Sequence, residues 1–221
     1  GAGRATLIEE PLATALGIGV MLDKPYGTMI VNVGAGTTSV AVVTMGSIAI
    51  AKSVAIGGNN MDKIIKTYLK ATRGIAVGRL TANELKHTLS GAKMRDETIA
   101  AVAKGKNMKD GMPEFFEVTA QEINYALRDS IDEICKAIKS VLEITPPELV
   151  KDITDDGIFL CGGLSNMYGL DRYISEATGI NVHIPGNRTD ASALGCLRAL
   201  SEENYLKQNS YHFVTLETLN L

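Results

Sequence analysis

The feature that most constrains the fold is the stretch VNVGAGTTSVAVVT at 31–44, in which two glycines separate two runs of β-forming residues. A Rossmann loop or a P-loop requires a helix directly after its glycines, because the N-terminus of that helix receives the phosphate. Here Gly34 and Gly36 are followed by Thr37, Thr38 and a β-branched run, which predicts a second strand. The stretch is therefore predicted to be a hairpin tip. It is either an ordinary glycine turn or a phosphate-binding turn, in which backbone N–H groups and the threonine hydroxyls approach an anion.

The amino-acid composition of the chain argues against several classes of function. The 221-residue chain is 45% hydrophobic and carries a net charge of −3, which predicts a globular protein and argues against nucleic acid as a partner. The apolar stretch from Leu12 to Leu22 is too short to span a bilayer. Three widely spaced cysteines without a CxxC pair predict buried thiols in a reducing, cytoplasmic compartment, and the scattered histidines predict no metal site.

Hydrophobic periodicity predicts a β-meander followed by alternating helices and strands, which is an α/β layer fold with a mixed sheet. Capping boxes are predicted at Thr81 with Glu84 and at Thr119 with Glu122. A mobile turn is predicted at 104–111. The predicted strands lie at 5–8, 29–33, 39–45, 47–56, 98–103, 114–118, 157–160 and 180–184, and the predicted helices begin near 10, 60, 81, 119, 166 and 189.

Five motifs occur in the order and spacing of an actin-like ATPase. They are LIEEPLATALGIGV at 7–20, VNVGAGTTSVAVVT at 31–44, VAIGGNNMD at 54–62, TANELKHTLSGA at 81–92 and IFLCGGLSNMYGLDRYI at 158–174. Together they make positions 1–202 similar to the MreB family of bacterial actins, and specifically to the second half of its members. The chain begins at Gly1 without an initiator methionine, which agrees with the expectation of a fragment or a processed product.

The resemblance implies an actin-like, ribonuclease H-like fold with a smaller inserted α+β subdomain. Residues 1–57 and 119–187 would form subdomain IIA and residues 58–118 the inserted subdomain IIB. The segment 188–202 would be a helix that packs on domain I in the family, followed by a tail at 203–221. In this fold two domains enclose ATP and Mg²⁺, and the nucleotide state biases domain closure and filament assembly.

The same resemblance implies roles for residues at the phosphate end of the site. The hairpin at Gly34, Gly36, Thr37 and Thr38 would be the second phosphate-binding element. Thr37 and Glu10 match positions that orient the water attacking the γ-phosphate, a role that fits phosphoryl transfer because the protein mainly places a water and offsets charge. The alternative for Glu10 is a favourable charge at a helix N-terminus.

Other residues would bind the nucleoside. The Gly162-Gly163 turn would pack its backbone against adenosine, with Leu164 nearby, or it is simply a tight strand-to-helix connection. Lys86 matches a basic residue that flanks adenine and ribose, and its alternative is a solvated helix face. Asn83 stands where the pattern has a glutamate directed towards the ribose.

Two more departures affect the phosphate hairpin. Asn32 replaces the usual aspartate of the VDIGGGTT-like pattern, which removes a carboxylate that would organise the water shell of Mg²⁺. Ala35 replaces the middle glycine, a mild change unless that position needs a positive φ.

The resemblance thus implies an ATP-binding, filament-forming protein that is involved in cell shape. Its partners would be further copies of itself and a first domain, and any membrane contact would be made through that first domain. The complete protein would be a slow ATPase, and this chain alone is expected to hydrolyse ATP poorly. The alternatives are a degenerate, non-catalytic actin-like module and a chaperone-type ATPase of the heat-shock superfamily.

The last predicted helix is expected to lack its usual packing partner. Its apolar face comprises Ala191, Leu194, Leu197 and Leu200. We expect this face either to be exposed or to be covered by self-association.

Overall fold

The computed structural model describes residues 5–95, 98–201 and 214–215. The strands are β1 (Thr6–Leu7), β2 (Thr28–Val33), β3 (Thr38–Thr44), β4 (Ser47–Val54), β5 (Ile75–Ala76), β6 (Ala100–Asn107), β7 (Pro113–Thr119), β8 (Ile158–Cys161), β9 (Val182–His183) and β10 (Val214–Thr215). The helices are α1 (Glu10–Ile18), α2 (Gly58–Arg73), α3 (Arg79–Leu89), α4 (Ala120–Ile144), α5 (Pro147–Asp156), α6 (Leu170–Thr178) and α7 (Ala191–Ser201), with a 3₁₀ turn at Gly163–Asn166.

The central element is a five-stranded mixed sheet in the order β4-β3-β2-β8-β9. Strands β4, β3 and β2 form the predicted antiparallel meander, whereas β2, β8 and β9 run parallel. All six residues of β2 are buried because both faces of the sheet are covered. The predicted α/β fold with a mixed sheet is confirmed, and the carboxyl ends of β2 and β8 lie side by side.

Two hydrophobic clusters cover the two faces of this sheet. On one face Val31 and Val40 pack into a large core with α2 and α4. On the other face Ile30 and Val43 pack with Leu12 of α1 in a smaller cluster. The alternation of side chains along β2 and β3 therefore sends successive residues to different helical layers.

A second, three-stranded sheet in the order β5-β6-β7 lies between residues 75 and 119 of the chain. Thr119 caps α4 as predicted, because its hydroxyl accepts from the Glu122 N–H while the Glu122 carboxylate accepts from the Thr119 N–H. Burial alone would raise the pKa of Glu122, but the hydrogen bonds from Thr119 and Arg73 lower it below its usual value. The subdomain boundaries expected at 57/58 and 118/119 stay predictions.

Several local predictions are wrong. The helix containing Thr81 begins at Arg79 after Gly78, without a side-chain cap, so the expected Thr81–Glu84 capping box does not form. The turn expected at 104–111 is shorter, since β6 continues to Asn107. The pair Pro146-Pro147 predicts only the end of the helix that begins at 119, but Pro147 is also the first residue of α5, a helix absent from the predicted set.

Helix α7 packs on α1 through small residues. A Cβ atom at Gly195 would lie 1.6 Å from the Ala13 carbonyl oxygen, and one at Gly17 would lie 1.8 Å from that of Ala191. Ala191 is therefore buried, contrary to the expected exposure of the whole apolar face. The exposure of the leucines is confirmed, at 37% for Leu194, 61% for Leu197 and 68% for Leu200.

Only two of the three thiols have the expected burial. Cys135 and Cys161 are buried, and burial raises the pKa of each to about 11. Cys196 on α7 is exposed. No helix in the described ranges is both long and apolar enough to cross a lipid bilayer. Apart from Val214–Thr215, which pair with β1, the tail at 203–221 lies outside the described residues.

Candidate functional site

The predicted hairpin tip lies at the carboxyl end of β2. Val33 pairs with Thr38, and the Gly34 N–H donates to the Thr37 carbonyl at 2.9 Å, so that residues 34–37 form the turn. Gly36 has open space around it, since an added Cβ would meet no atom within 4 Å. The tip therefore leaves room for a ligand above its backbone.

The N-terminus of α2 holds the back of this turn. The N–H groups of Gly58 and Asn59 donate to the carbonyls of Gly34 and Ala35, at 3.1 and 2.7 Å. Gly57 permits this close approach, because a Cβ there would lie 2.7 Å from the Ala35 carbonyl carbon. Ala35 has no positive φ, so the loss of the middle glycine causes no backbone strain.

The amide groups of the tip remain available on the other side. A trans peptide points its N–H opposite to its C=O, so the N–H groups of Ala35 and Gly36 point away from α2. Within the described part of the chain, no hydrogen bond uses the N–H of Ala35, Gly36 or Thr37. Three adjacent donors beside a helix N-terminus are suited to an anion.

The two threonines of the turn differ in their surroundings. Thr37 is exposed, and its hydroxyl makes no hydrogen bond to another described residue. Thr38 is fully buried, and its hydroxyl donates to the Ile56 carbonyl at 2.8 Å. The expectation of a Thr38 hydroxyl donated to phosphate therefore does not fit the structure, and this side chain instead joins β3 to the end of β4.

Glu10 begins α1 and lies beside the same strand ends. Its Oε1 atom accepts from Asn32 Nδ2 at 2.7 Å, and its Oε2 atom accepts from the Ser39 hydroxyl at 3.2 Å. The carboxylate is exposed, while Asn32 is 7% exposed. Glu10 therefore places a negative charge at the N-terminus of α1, as the alternative interpretation of this residue predicts. Its side chain is also held in one orientation by these two hydrogen bonds.

The second glycine turn lies against the base of the hairpin. Gly162 has a φ of +88°, and a Cβ there would lie 2.4 Å from the Val33 carbonyl oxygen. Its neighbour Gly163 is exposed, with no atom within 4 Å of an added Cβ. Leu164 directs its side chain into the core and is 6% exposed, so only its backbone faces the turn. Because β2 and β8 are parallel neighbours, both glycine turns lie at one edge of the sheet.

Lys86 is not on a solvated helix face. The residue is 4% exposed, and its ammonium donates to Asp62 Oδ1 at 2.7 Å and to the Gly58 carbonyl at 3.0 Å. This buried ion pair joins α3 to the first turn of α2, directly behind the hairpin turn at residues 34–37. Asn83, one turn earlier in α3, is half-buried and makes no hydrogen bond within the described residues.

Sequence reasoning assigned no role to Gly57, Asp62, Ser39 or Ser192. The signal for the first two was present in the VAIGGNNMD motif, where the glycines precede a helix and Asp62 follows one turn later. Ser192 gave no signal, because it lies 160 residues from its neighbour Asn32, whose Nδ2 is 3.5 Å from the serine hydroxyl.

The residues around the hairpin do not form a dedicated magnesium site. Glu10 offers a single carboxylate there, and the amide of Asn32 directs its donor towards it. Across residues 5–95, 98–201 and 214–215, no three His, Cys, Asp or Glu side chains cluster as a metal site. A Mg²⁺ ion with one protein carboxylate would depend on phosphate oxygens and water for its other ligands.

Comparison with known proteins gives consistent results. Residues 1–208 match the family described as MreB/Mbl protein. The cell shape-determining protein MreB of Escherichia coli strain K12 is 36% identical over 200 residues, which cover 90% of this chain and 58% of that protein. The chain thus spans little more than half the length of this curated relative.

Solved structures share the fold. MreB5 of Spiroplasma citri bound to ADP superposes with a TM-score of 0.85 at 27% identity, covering 93% of this chain and 62% of that one. The same protein bound to AMPPNP also gives a TM-score of 0.85 at 27% identity, over 92% and 61% of the two chains. The MamK double helical filament, at 22% identity and a TM-score of 0.74 over 88% and 59%, supports the fold alone.

Proposed function

Because the chain belongs to the MreB/Mbl family, we propose that it is the second domain of an actin-like, filament-forming protein that binds ATP and acts in cell shape. The observation that carries this proposal is the set of three N–H groups, at Ala35, Gly36 and Thr37, that have no hydrogen-bond partner among the described residues. They lie beside the N-terminus of α2 at the edge where both glycine turns meet. The binding of ADP and AMPPNP by the MreB5 relative supports a nucleotide as the ligand.

The hairpin binds the phosphates. Backbone N–H groups suit phosphate oxygens because they can approach closely without a side chain, and the positive end of the α2 dipole adds a favourable field. The Thr37 hydroxyl supplies one further donor. Thr38 offers the phosphates no hydroxyl donor, since its side chain is bonded to the Ile56 carbonyl inside the protein.

Glu10 and Thr37 are the residues we assign to hydrolysis. An exposed carboxylate held by two donors can accept a proton or orient a water without reorganising, which is the main demand of phosphoryl transfer. A slow ATPase activity would follow in the complete protein, where a first domain closes the site. The competing proposal of a non-catalytic module is favoured by one observation, the amide at Asn32 in place of a carboxylate.

The nucleoside lies along the second glycine turn. Gly162 and Gly163 present backbone to it, together with the Leu164 backbone, and Asn83 offers an amide to the ribose. Lys86 supports the site by joining α3 to α2 rather than by direct contact, because Asp62 and the Gly58 carbonyl already bind its ammonium.

The remaining parts of the proposal concern partners and place. Mg²⁺ arrives bound to the ATP phosphates, since no three His, Cys, Asp or Glu side chains of the described residues cluster as a metal site. Self-association into filaments, a first domain as the partner and a cytoplasmic location complete the proposal. The two buried, unpaired thiols at Cys135 and Cys161 fit a reducing compartment.

Titration of the ¹⁵N-labelled chain with ATP tests phosphate binding directly. We expect the amide signals of Ala35, Gly36, Thr37 and Gly163 to shift together with one affinity. Thr37→Val should weaken ATP binding at least about tenfold, because a hydrogen bond to a charged group contributes about 1.5–3 kcal/mol.

Thr38→Val is the matched control. It removes a hydroxyl of the same kind, but one that is bonded inside the protein, so it should lower stability by about 1 kcal/mol and change ATP affinity less than twofold. ATP binding that leaves the amides at 35–37 unshifted would contradict the phosphate assignment.

A further inference from the structure

Asn32 departs from the family pattern at a buried position next to Glu10. It lies at the buried end of β2, where the related pattern places an aspartate, and it donates a 2.7 Å hydrogen bond to Glu10. The Ser39 hydroxyl donates to the other oxygen of the same carboxylate at 3.2 Å. Both oxygens of Glu10 are therefore held from the sheet side.

We infer that Asn32 is a positioning residue that fixes the Glu10 carboxylate by donating a hydrogen bond, so that this site needs no cation between positions 10 and 32. The inference rests on the proposed function for the role of Glu10 in hydrolysis. The pairing of the two side chains is independent of that role.

The chemistry of the two groups supports this inference. An ionised carboxylate only accepts hydrogen bonds, whereas an amide also donates. An aspartate at position 32 would bring two acceptors with like charges within hydrogen-bond distance, an arrangement that requires a proton or a cation between them. The amide of Asn32 removes that requirement and leaves one negative charge fewer beside the phosphates.

Neighbouring backbone and hydroxyl groups keep Asn32 in place. A Cβ at Gly162 would lie 2.6 Å from Asn32 Oδ1, so the second glycine turn packs directly against this side chain. The Ser192 hydroxyl lies 3.5 Å from Asn32 Nδ2 and 2.8 Å from the Thr14 hydroxyl, which in turn donates to the Glu10 carbonyl at 2.8 Å. Glu10 is therefore connected to Asn32 directly through its side chain, and through its backbone by way of the Thr14 and Ser192 hydroxyls.

A set of four proteins tests the pairing by thermal unfolding, with and without 10 mM MgCl₂. The set comprises the unmodified chain, Asn32→Asp, Glu10→Gln and the double variant E10Q/N32D. We expect Asn32→Asp to lower Tm by about 3 °C or more without Mg²⁺ and to regain at least half of that loss with it. The unmodified chain should change by less than about 1 °C on adding Mg²⁺.

The double variant exchanges donor and acceptor. A glutamine at position 10 can donate to an aspartate at position 32, so E10Q/N32D should recover the Tm of the unmodified chain and lose its response to Mg²⁺. An Asn32→Asp protein that is as stable as the unmodified chain without Mg²⁺, or a double variant that remains as unstable as Asn32→Asp, would overturn the inference.

Calorimetry with ATP supplies a readout that a purely structural role would not move. The ratio of ATP affinities with and without Mg²⁺ should be at least about fivefold larger for Asn32→Asp than for the unmodified chain, because the second carboxylate repels phosphate until a cation binds. Equal ratios in the two proteins would contradict the inference. Failure of every variant to bind ATP would instead contradict the proposed function, while the unfolding series would still decide the pairing of Asn32 with Glu10.

Discussion

Two contacts in this protein depend on the close approach of backbone to a glycine, but the surface beside one contact is polar and the surface beside the other is apolar. At the hairpin, Gly57 lets α2 approach Ala35 and hold its carbonyl. In the helix pair, Gly195 lets α7 approach the Ala13 carbonyl of α1. The hairpin contact leaves N–H groups that have no partner within residues 5–95, 98–201 and 214–215, and the helix contact leaves exposed leucines such as Leu197.

The difference shows what each contact is suited to bind. Free N–H groups in open space beside a helix N-terminus suit a small anion, which satisfies them without burying much area. Leucines that are 61% and 68% exposed on one helix suit a large apolar surface, such as that of another protein segment. The sheet edge therefore presents donors suited to a small ligand, whereas the outer face of α7 is suited to packing.

Thiol labelling should give the largest difference between the two regions. Cys161 ends β8 beside the second glycine turn, and burial raises its pKa to about 11, so at pH 8 only about one molecule in a thousand carries the reactive thiolate. Cys196 on α7 is exposed. In the native protein, mass spectrometry after brief labelling with a disulfide reagent should find Cys196 modified at least about a hundredfold faster.

The pH dependence of the Cys161 reaction follows from the raised pKa. Its labelling rate should increase with pH until about pH 11, because the thiolate fraction increases over that range. Equal labelling of Cys161 and Cys196 at pH 8 would show that the sheet edge opens readily.

The Lys86→Met substitution should strongly destabilise the contact between α2 and α3 behind the hairpin. It leaves the Asp62 carboxylate buried without its cation, and removal of one partner of a buried ion pair costs about 3–5 kcal/mol. Urea unfolding measures the loss. The control is D62N/K86M, which removes both charges and should recover more than half of it; a double variant as unstable as the single one would show that the ion pair itself contributes little.

Gly195→Ala should destabilise the helix pair by about 1–3 kcal/mol, because the new methyl group would overlap the Ala13 carbonyl and force the helices apart. Gly186→Ala is a matched control, since a Cβ there would meet no atom within 4 Å and the change should be nearly neutral. If both variants unfold at the same urea concentration, the close packing of α7 on α1 is not present in solution.

The double variant L197Q/L200Q should have the smallest effect on stability, within about 0.5 kcal/mol, because both side chains are already exposed. It should nevertheless reduce self-association in sedimentation velocity, since it removes apolar surface from α7. A stability loss above about 1 kcal/mol would mean that another part of the chain covers these leucines.

The hairpin and the mixed sheet could be predicted from sequence because their signals are local. Alternating β-branched residues on both sides of Gly34 and Gly36 specify two strands and a turn without reference to the rest of the chain. The cap at Thr119 was predictable for the same reason, since both partners lie within four residues.

Predictions failed where a local signal had a competitor or where partners were distant. Thr81 and Glu84 have the spacing of a capping box, but Gly78 begins the helix earlier and leaves both inside it. The pair Pro146-Pro147 predicts the end of the preceding helix, but a proline also fits the first turn of a new one, and Pro147 begins α5. The burial of Lys86 depends on Asp62, which lies 24 residues away on another helix.

The hydrogen bonds from α2 to the hairpin affect the strength of the donors that remain. The Gly34 carbonyl belongs to the same peptide group as the Ala35 N–H, and the Ala35 carbonyl to the same group as the Gly36 N–H. A carbonyl that accepts a hydrogen bond polarises its own peptide group, which makes the N–H on the opposite side a better donor. The first turn of α2 thus acts on a ligand it does not touch, through two polarised peptide groups that transmit the charge of the helix end across the turn.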